Sequence, residues 1–244
     1  MISLGNQANV NETDVLAPVA DDRFTRVLAM YLESISNGQR FVQEASQVTR
    51  SKPIIVLKSG RSASGQRAAA SHTGALAGQE HAVDAAFRRC GVIRANTSEE
   101  LFDWARALAW CQPLKGRAIS ILTNAGGPGV TASDAVEANG LSLAELASET
   151  VTALRQILPS AASVRNPVDI WSTVEQDGAK KTMGHMARCS LDQKDSDALL
   201  SIFVLMPETI FDIAEACGEI VKEHRSKPIF VSYYGGTSRE IAHV

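Results

Sequence analysis

Pro53-Ile54-Ile55-Val56-Leu57, then Arg67-Ala68-Ala69-Ala70-Ser71-His72-Thr73-Gly74-Ala75-Leu76-Ala77-Gly78, then the segment from Glu80 to Cys90: these pieces, in this order, decide the fold. The first is short, apolar and rich in β-branched residues, as a strand is. The last has a helical pattern. Between them runs a long loop of small residues, placed at the carboxyl end of the strand. A strand followed by a loop and a helix is the repeating half of a βαβ unit. In open α/β sheets, ligands bind outside the carboxyl ends of the strands.

The alternation continues in both directions. Upstream, residues 2–4 form a short apolar start, and residues 13–20 read as a helix capped by Asn11 or Thr13 despite Pro18. Residues 27–32 read as a buried strand. Residues 38–49 form an amphipathic helix with Phe41, Ala45 and Val48 on one face. Downstream, residues 91–93 read as a brief strand. Thr97-Ser98-Glu99-Glu100 opens a helix with a capping signature, and that helix carries Leu101 and Trp104.

The polar stretch Cys111-Gln112-Pro113-Leu114-Lys115-Gly116-Arg117 breaks the pattern. A domain boundary is expected there, giving domains at 1–113 and 114–244. The pattern restarts with a strand at 118–123, helices at 127–139 and 148–158, a strand at 198–205, a helix at 210–224 and a strand at 228–233. Residues 142–146 stay open. Alternating strands and helices imply parallel sheets covered on both faces. The expected class is α/β, with two flavodoxin-like doubly wound domains. Gly235-Gly236-Thr237-Ser238 reads as the start of a helix that stops within about one turn, so a truncated or split protein is expected.

Composition narrows the function. Charged residues balance to −3, and the aromatic set is small, at three Trp, three Tyr and seven Phe. There is no basic stripe, so no nucleic acid is expected. No apolar stretch approaches the roughly 18 residues a membrane span needs, and no secretory signal opens the chain. No membrane partner and a cytoplasmic location are therefore expected. The four cysteines Cys90, Cys111, Cys189 and Cys217 are scattered, with no metal-ligand spacing. Cys90 and Cys217 fall on apolar helix faces and read as buried free thiols, so no metal is expected.

His72 is the leading candidate for chemistry. A single histidine in a loop is more often a solvated surface group. Its neighbours shift the balance: Ser71 and Thr73 bring hydroxyls, and Gly74 and Gly78 admit close backbone approach. Between Arg61 and Gln79 the only charges are those of Arg61 and Arg67. Such a loop suits an anion, and a histidine among anion-binding groups suits phosphoryl transfer. Lys58 and Arg61 border it, with attraction of phosphate and simple solvation equally open.

Glu33 follows the 27–32 strand, on the same sheet edge as the loop. A carboxylate there can accept a hydrogen bond from one ring nitrogen, fixing the tautomer and leaving the other nitrogen to attack. Capping of the next helix is the plainer alternative. A second candidate site is the turn Asn124-Ala125-Gly126-Gly127-Pro128-Gly129, between a strand and a helix. Helix N-terminal amides and glycines suit an anion, although such a turn is often only tight. Asn166-Pro167-Val168-Asp169 is extended and proline-fixed. A structural role is favoured for Asp169, as a turn cap, over contact with a partner domain.

Together, Ser3-Leu4-Gly5-Asn6, the acidic stretch to Asp22, Tyr31-Leu32-Glu33, Lys52 to Arg61, Ala69 to Gly78, Thr123 to Gly129 and Asn166 to Asp169 resemble the NDP-forming acyl-CoA synthetases, the superfamily that includes succinyl-CoA synthetase. The resemblance covers nearly the whole chain, and Ser-His-Thr-Gly-Ala is its most specific motif. It implies the reaction acid plus ATP plus CoA to acyl-CoA, ADP and phosphate. It implies that His72 is phosphorylated, that Glu33 orients or stabilises the phosphohistidine, and that Ser71, Thr73, Gly74, Asn124, Gly126, Gly127 and Gly129 bind phosphate. A neutral imidazole, with an ordinary pKa of about 6.5, is a competent nucleophile for this.

The resemblance further implies partners: a CoA-binding Rossmann domain, and an ATP-grasp domain or subunit that binds nucleotide and magnesium. CoA, ATP/ADP and Mg are thus expected through those parts rather than on this chain, and an oligomer is expected. Acyl specificity and the choice of ATP or GTP are not encoded here. The rival expectation is a non-catalytic regulatory or scaffold module derived from the same family.

Overall fold

The computed structural model describes residues 1–7, 9–62, 64, 80–160, 162–204 and 210–235. It divides into two compact units, Met1–Cys111 and Gln112–Val244. In chain order the first contains α1 (Leu16–Asp21), β1 (Leu28–Leu32), α2 (Gly38–Val48), β2 (Ile54–Lys58), α3 (Glu80–Cys90), β3 (Ile93–Ala95) and α4 (Ser98–Trp110). The second contains β4 (Ala118–Thr123), α5 (Gly126–Ala138), β5 (Ser142–Leu143), α6 (Ser148–Arg155), β6 (Val168–Asp169), α7 (Trp171–Asp177), α8 (Ala179–Asp192), β7 (Ala198–Val204), α9 (Ile210–Glu223) and β8 (Ile229–Tyr234).

In the first unit the strands pair in parallel in the order β1-β2-β3. β2 alternates its side chains between two cores, as a central strand must. Ile54 and Val56 pack with Phe41, Ala45 and Val48 of α2 and Phe87 and Cys90 of α3. Ile55 faces the other way, toward Leu101, Trp104 and Ala105 of α4. The Phe41 and Phe87 rings meet at 5.9 Å, joining α2 to α3. The sheet is thus covered on both faces, and β1 and β3 flank it with shorter buried runs.

The second unit repeats the plan in a parallel sheet ordered β5-β4-β7-β8, with β6 also pairing β4. On one face Ile119, Ile121, Ala198 and Ile202 pack against Ala132 and Val136 of α5. On the other, Leu122, Leu199 and Phe203 meet Leu154 of α6, Met183, Met186 and Ala187 of α8, and Ile220 of α9. The doubly wound α/β expectation holds in both units.

Several element expectations need correction. The first helix starts at Leu16, because Asn11 Oδ1 accepts from the Thr13 and Asp14 amides (2.9 and 3.2 Å) and holds a separate turn ahead of it. The third strand begins at Ile93, two residues late, since Gly91 takes φ +71° to turn the chain out of α3. Helices α7 and α8 carry no expectation from the sequence reading; Gly178, at φ +83°, separates them.

Candidate active site

The register brings three strand ends to one edge of the first sheet: Leu32 lies opposite Lys58, and Leu57 opposite Ala95. Glu33, Ser59 and Asn96 follow those strands, so they share that edge. Glu33 is half-buried there. His72, Ser71, Thr73 and Gly74 lie outside the described residues.

The Lys58 ammonium donates to the Glu33 carbonyl and the Ser59 carbonyl, both at 2.7 Å. The Ser59 amide donates to the Leu32 carbonyl at 3.0 Å. Partial burial pushes the Lys58 pKa below its ordinary value, with Arg94 adding to the effect and Glu80 and Glu33 opposing it. Lys58 therefore braces the edge and is not simply solvated.

A charge cluster stands alongside. Arg94 of β3 donates to Glu80 and Asp84, one turn apart on α3. Its side chain is only 10% exposed. Burial opposes its charge, but the hydrogen bonds it donates to two carboxylates, with their negative charge, outweigh that and raise its pKa. The same contact holds Asp84 below the usual carboxylate value. Arg61, just past β2, donates to Asn96 and lies 3.7 Å from Glu80. Residues 61 and 80, on either side of the histidine motif in sequence, are thereby tied together.

The sequence reading missed Glu12. It is fully buried, and its oxygens accept from the Ser36 amide at 3.0 Å, the Ser36 hydroxyl at 3.3 Å and the Thr13 hydroxyl at 3.3 Å. Its place in an acidic stretch gave only a surface signal. Arg94 was missed because its partners Asp84 and Glu80 lie 10 and 14 residues away in sequence.

The second candidate site is the entry to α5. Thr123 Oγ shapes the turn, accepting from the Ala125 amide at 3.1 Å and donating to its carbonyl at 2.9 Å. The N-cap position is Ala125, and no side chain caps the helix. A Cβ on Gly127 would meet nothing within 4 Å, whereas one on Gly129 would meet Thr123 Cγ2 at 3.1 Å and Pro167 Cβ at 3.4 Å. The first turn thus offers amides beside open space, which suits an anion. Asp169 Oδ2 would lie 3.8 Å from a Cβ on Gly126, and Asp169 Oδ1 accepts from the Trp171 amide at 3.0 Å. The carboxamide of Asn124 points elsewhere: it donates to the Val204 carbonyl (3.0 Å) and accepts from the Val204 amide (2.8 Å).

Among the described residues no group of three or more His, Cys, Asp or Glu is arranged to hold a metal ion. No helix among them is long and apolar enough to cross a membrane. Cys90 and Cys217 are buried free thiols, and burial pushes Cys217 up to about 11.

Two family models match in succession. Residues 1–108 match the succinyl-CoA ligase like flavodoxin domain, and residues 119–243 match the Ligase-CoA domain. Among curated proteins, the α subunit of ADP-forming acetate–CoA ligase II from Pyrococcus furiosus is 40% identical over 99% of this chain and 52% of its own length. The α subunit of isoenzyme I from the same organism is 39% identical over 97% of this chain and 50% of its own length. Among solved structures, an acetyl-coenzyme A synthetase 1 from Ca. Korarchaeum cryptofilum, in complex with phosphate and ADP, superposes with a TM-score of 0.87. It shares 34% identity over 99% of this chain and 52% of its own. The chain spans about half the length of the relatives it matches. It belongs to the NDP-forming acyl-CoA synthetase family, of which it carries the succinyl-CoA-ligase-like flavodoxin domain and the Ligase-CoA domain.

Proposed function

We propose that this chain is the phosphoryl-carrying portion of an NDP-forming acyl-CoA synthetase, divided into domains at 1–113 and 114–244, and that His72 is the carrier. The observation that carries the reading is the 40% identity to an ADP-forming acetate–CoA ligase α subunit across 99% of the chain. Acid, ATP and CoA become acyl-CoA, ADP and phosphate. ATP, with magnesium, supplies the phosphoryl group, and CoA the thiol. Both would be held by a CoA-binding domain and an ATP-grasp domain or subunit.

The chain's own residues do the rest. One imidazole nitrogen of His72 bonds to phosphorus as the bond to the leaving oxygen breaks. Glu33, at the same sheet edge, holds the other ring nitrogen, fixes the tautomer and balances positive charge on the ring. Ser71, Thr73 and Gly74 hold phosphate oxygens beside the ring. The α5 entry seats the phosphate with the backbone amides of Gly126 and Gly127 and the helix dipole, while Asn124, whose carboxamide is bonded to Val204, and Gly129, whose amide donates to the Ala125 carbonyl, shape the turn. The phosphohistidine then passes the group to the carboxylate of the acid as the N–P bond breaks, the CoA thiol displaces phosphate from the resulting acyl phosphate, and the ring returns to neutral imidazole. Positioning and charge neutralisation dominate, as phosphoryl transfer requires.

The test is direct. The chain is incubated with its ATP-grasp partner, magnesium and labelled ATP, and acid-labile, base-stable label is sought in wild type and in His72→Ala. Label is expected in wild type alone, and it should leave as inorganic phosphate, with acyl-CoA formed, when acid, CoA and a CoA-binding domain are added. No label with a demonstrably active partner would overturn the reading and favour a scaffold module.

A further inference from the structure

Glu12 is the one charged residue among the described ones that is fully buried. Among the described residues no Lys, Arg or His is paired with it; Arg40, close in the fold, pairs with Asp14 at 2.7 Å. Burying an unpaired carboxylate is costly unless hydrogen bonds satisfy it. Its bonds converge on Ser36, three residues past Glu33, through both the amide and the hydroxyl. At the other end of that turn the Lys58 ammonium takes the Glu33 carbonyl. The turn 33–36 is therefore gripped at both ends: an anion holds an N–H and an O–H, and a cation holds a C=O. Both are charge-assisted bonds, stronger than neutral ones. Neither charge is required to close the sheet, since the β1–β2 ladder is complete through Leu32 and Lys58.

We propose that Glu12 and Lys58 are positioning residues, fixing the backbone from which the Glu33 carboxylate is presented. This rests on the reading that Glu33 orients His72. A carboxylate on a loose turn would spend part of its time out of reach of the ring, and small misplacements near reacting groups are expensive.

The experiment measures the rate of His72 labelling by the ATP-grasp partner in Glu12→Gln, Glu12→Ala and Lys58→Met, each alone and in a Glu33→Gln background, with the thermal midpoint recorded alongside. Glu12→Ala and Lys58→Met are expected to slow labelling about tenfold, with Glu12→Gln in between. In the Glu33→Gln background neither should slow it further. Unchanged rates, or the same loss with and without Glu33, would overturn the proposal. Should Glu12→Ala fail to fold, Glu12→Gln and Ser36→Ala decide by the same criteria. A second readout is independent of chemistry: the carboxyl carbon resonance of Glu33, identified with Glu33→Gln. It must move in Glu12→Gln and in Lys58→Met, and a fixed resonance would overturn the clamp. If wild type itself takes no label, the functional reading fails, and this resonance alone judges the clamp.

Discussion

Asn166 stands in for a piece of β-strand. β4 is paired at its start by β5 and at its end by β6, and the gap between them is bridged by one side chain. Asn166 Oδ1 accepts from the Ile121 amide at 2.8 Å, and its Nδ2 donates to the Ile119 and Ala144 carbonyls at 2.7 and 3.0 Å. The peptide bond that follows, to Pro167, is cis. On the opposite edge of β4, Asn124 does the same toward Val204. A carboxamide has the donor and acceptor of a peptide group, so it can continue a ladder where the chain has turned away. Asn166→Ala strands the Ile121 amide and the Ala144 carbonyl, leaves the Ile119 carbonyl only the Ala144 amide, and should cost on the order of 3 kcal/mol. Asn166→Asp keeps the shape but loses both donations and sets an anion against two carbonyls, so it should cost at least as much at neutral pH. Chemical denaturation of both variants checks this; an aspartate variant as stable as wild type would refute the ladder argument.

At the scale of elements, α5 separates packing from function. Gly129→Ala forces a methyl against Thr123 and Pro167 and should cost about 1 kcal/mol or more. Gly127→Ala enters open space in the first helical turn and should stabilise the helix by roughly 0.5–1 kcal/mol. If the α5 entry seats phosphate, Gly127→Ala should nevertheless slow His72 labelling about tenfold, because a methyl crowds the amides. A more stable variant with an unchanged labelling rate would remove Gly127 from the site.

The elements that were legible in sequence have a clean period. β2 is apolar throughout, and α2 shows Phe41, Ala45 and Val48 on one stripe. The Thr97 cap was also legible: Thr97 Oγ accepts from the Glu100 amide at 3.1 Å, although Glu100 reaches back to the Asn96 amide (2.7 Å) instead of completing the box at Thr97. α8 was hidden because its buried side includes Thr182, Gly184 and Ser190. The two hydroxyls bond to the Thr173 and Met186 carbonyls, so polar letters occupy core positions and blur the helical period. The strand-end candidates Glu33 and Gly127 were legible because βα connections announce themselves. Glu12 and Arg94 were not, because their partners Ser36, Glu80 and Asp84 lie 10 to 24 residues away.

For the molecule as a whole, each unit carries apolar cores on both faces of its sheet. Acid should find the first unit through Asp84. Arg94 holds the folded pKa of Asp84 below the ordinary 3.8. The unfolded chain therefore takes up that proton first as pH falls. The contribution is fully present above about pH 4 and disappears as pH drops through the lower, folded value. Asp84→Asn should flatten the fall of the thermal midpoint below about pH 4 while lowering the midpoint at neutral pH. Thermal melts from neutral to acid pH check this, and parallel curves would count against it.

The proline after Asn166 also bears on how the protein ages. Asparagine deamidates when the backbone nitrogen of the next residue attacks its side-chain carbonyl, and Pro167 offers no N–H for that ring closure. The carboxamide that completes the second sheet is thus shielded from turning spontaneously into the aspartate its site cannot accept. Asn139, exposed and followed by Gly140, has no such shield. Chemical wear should begin there, where the carboxamide holds only the Ala135 carbonyl at the end of a helix.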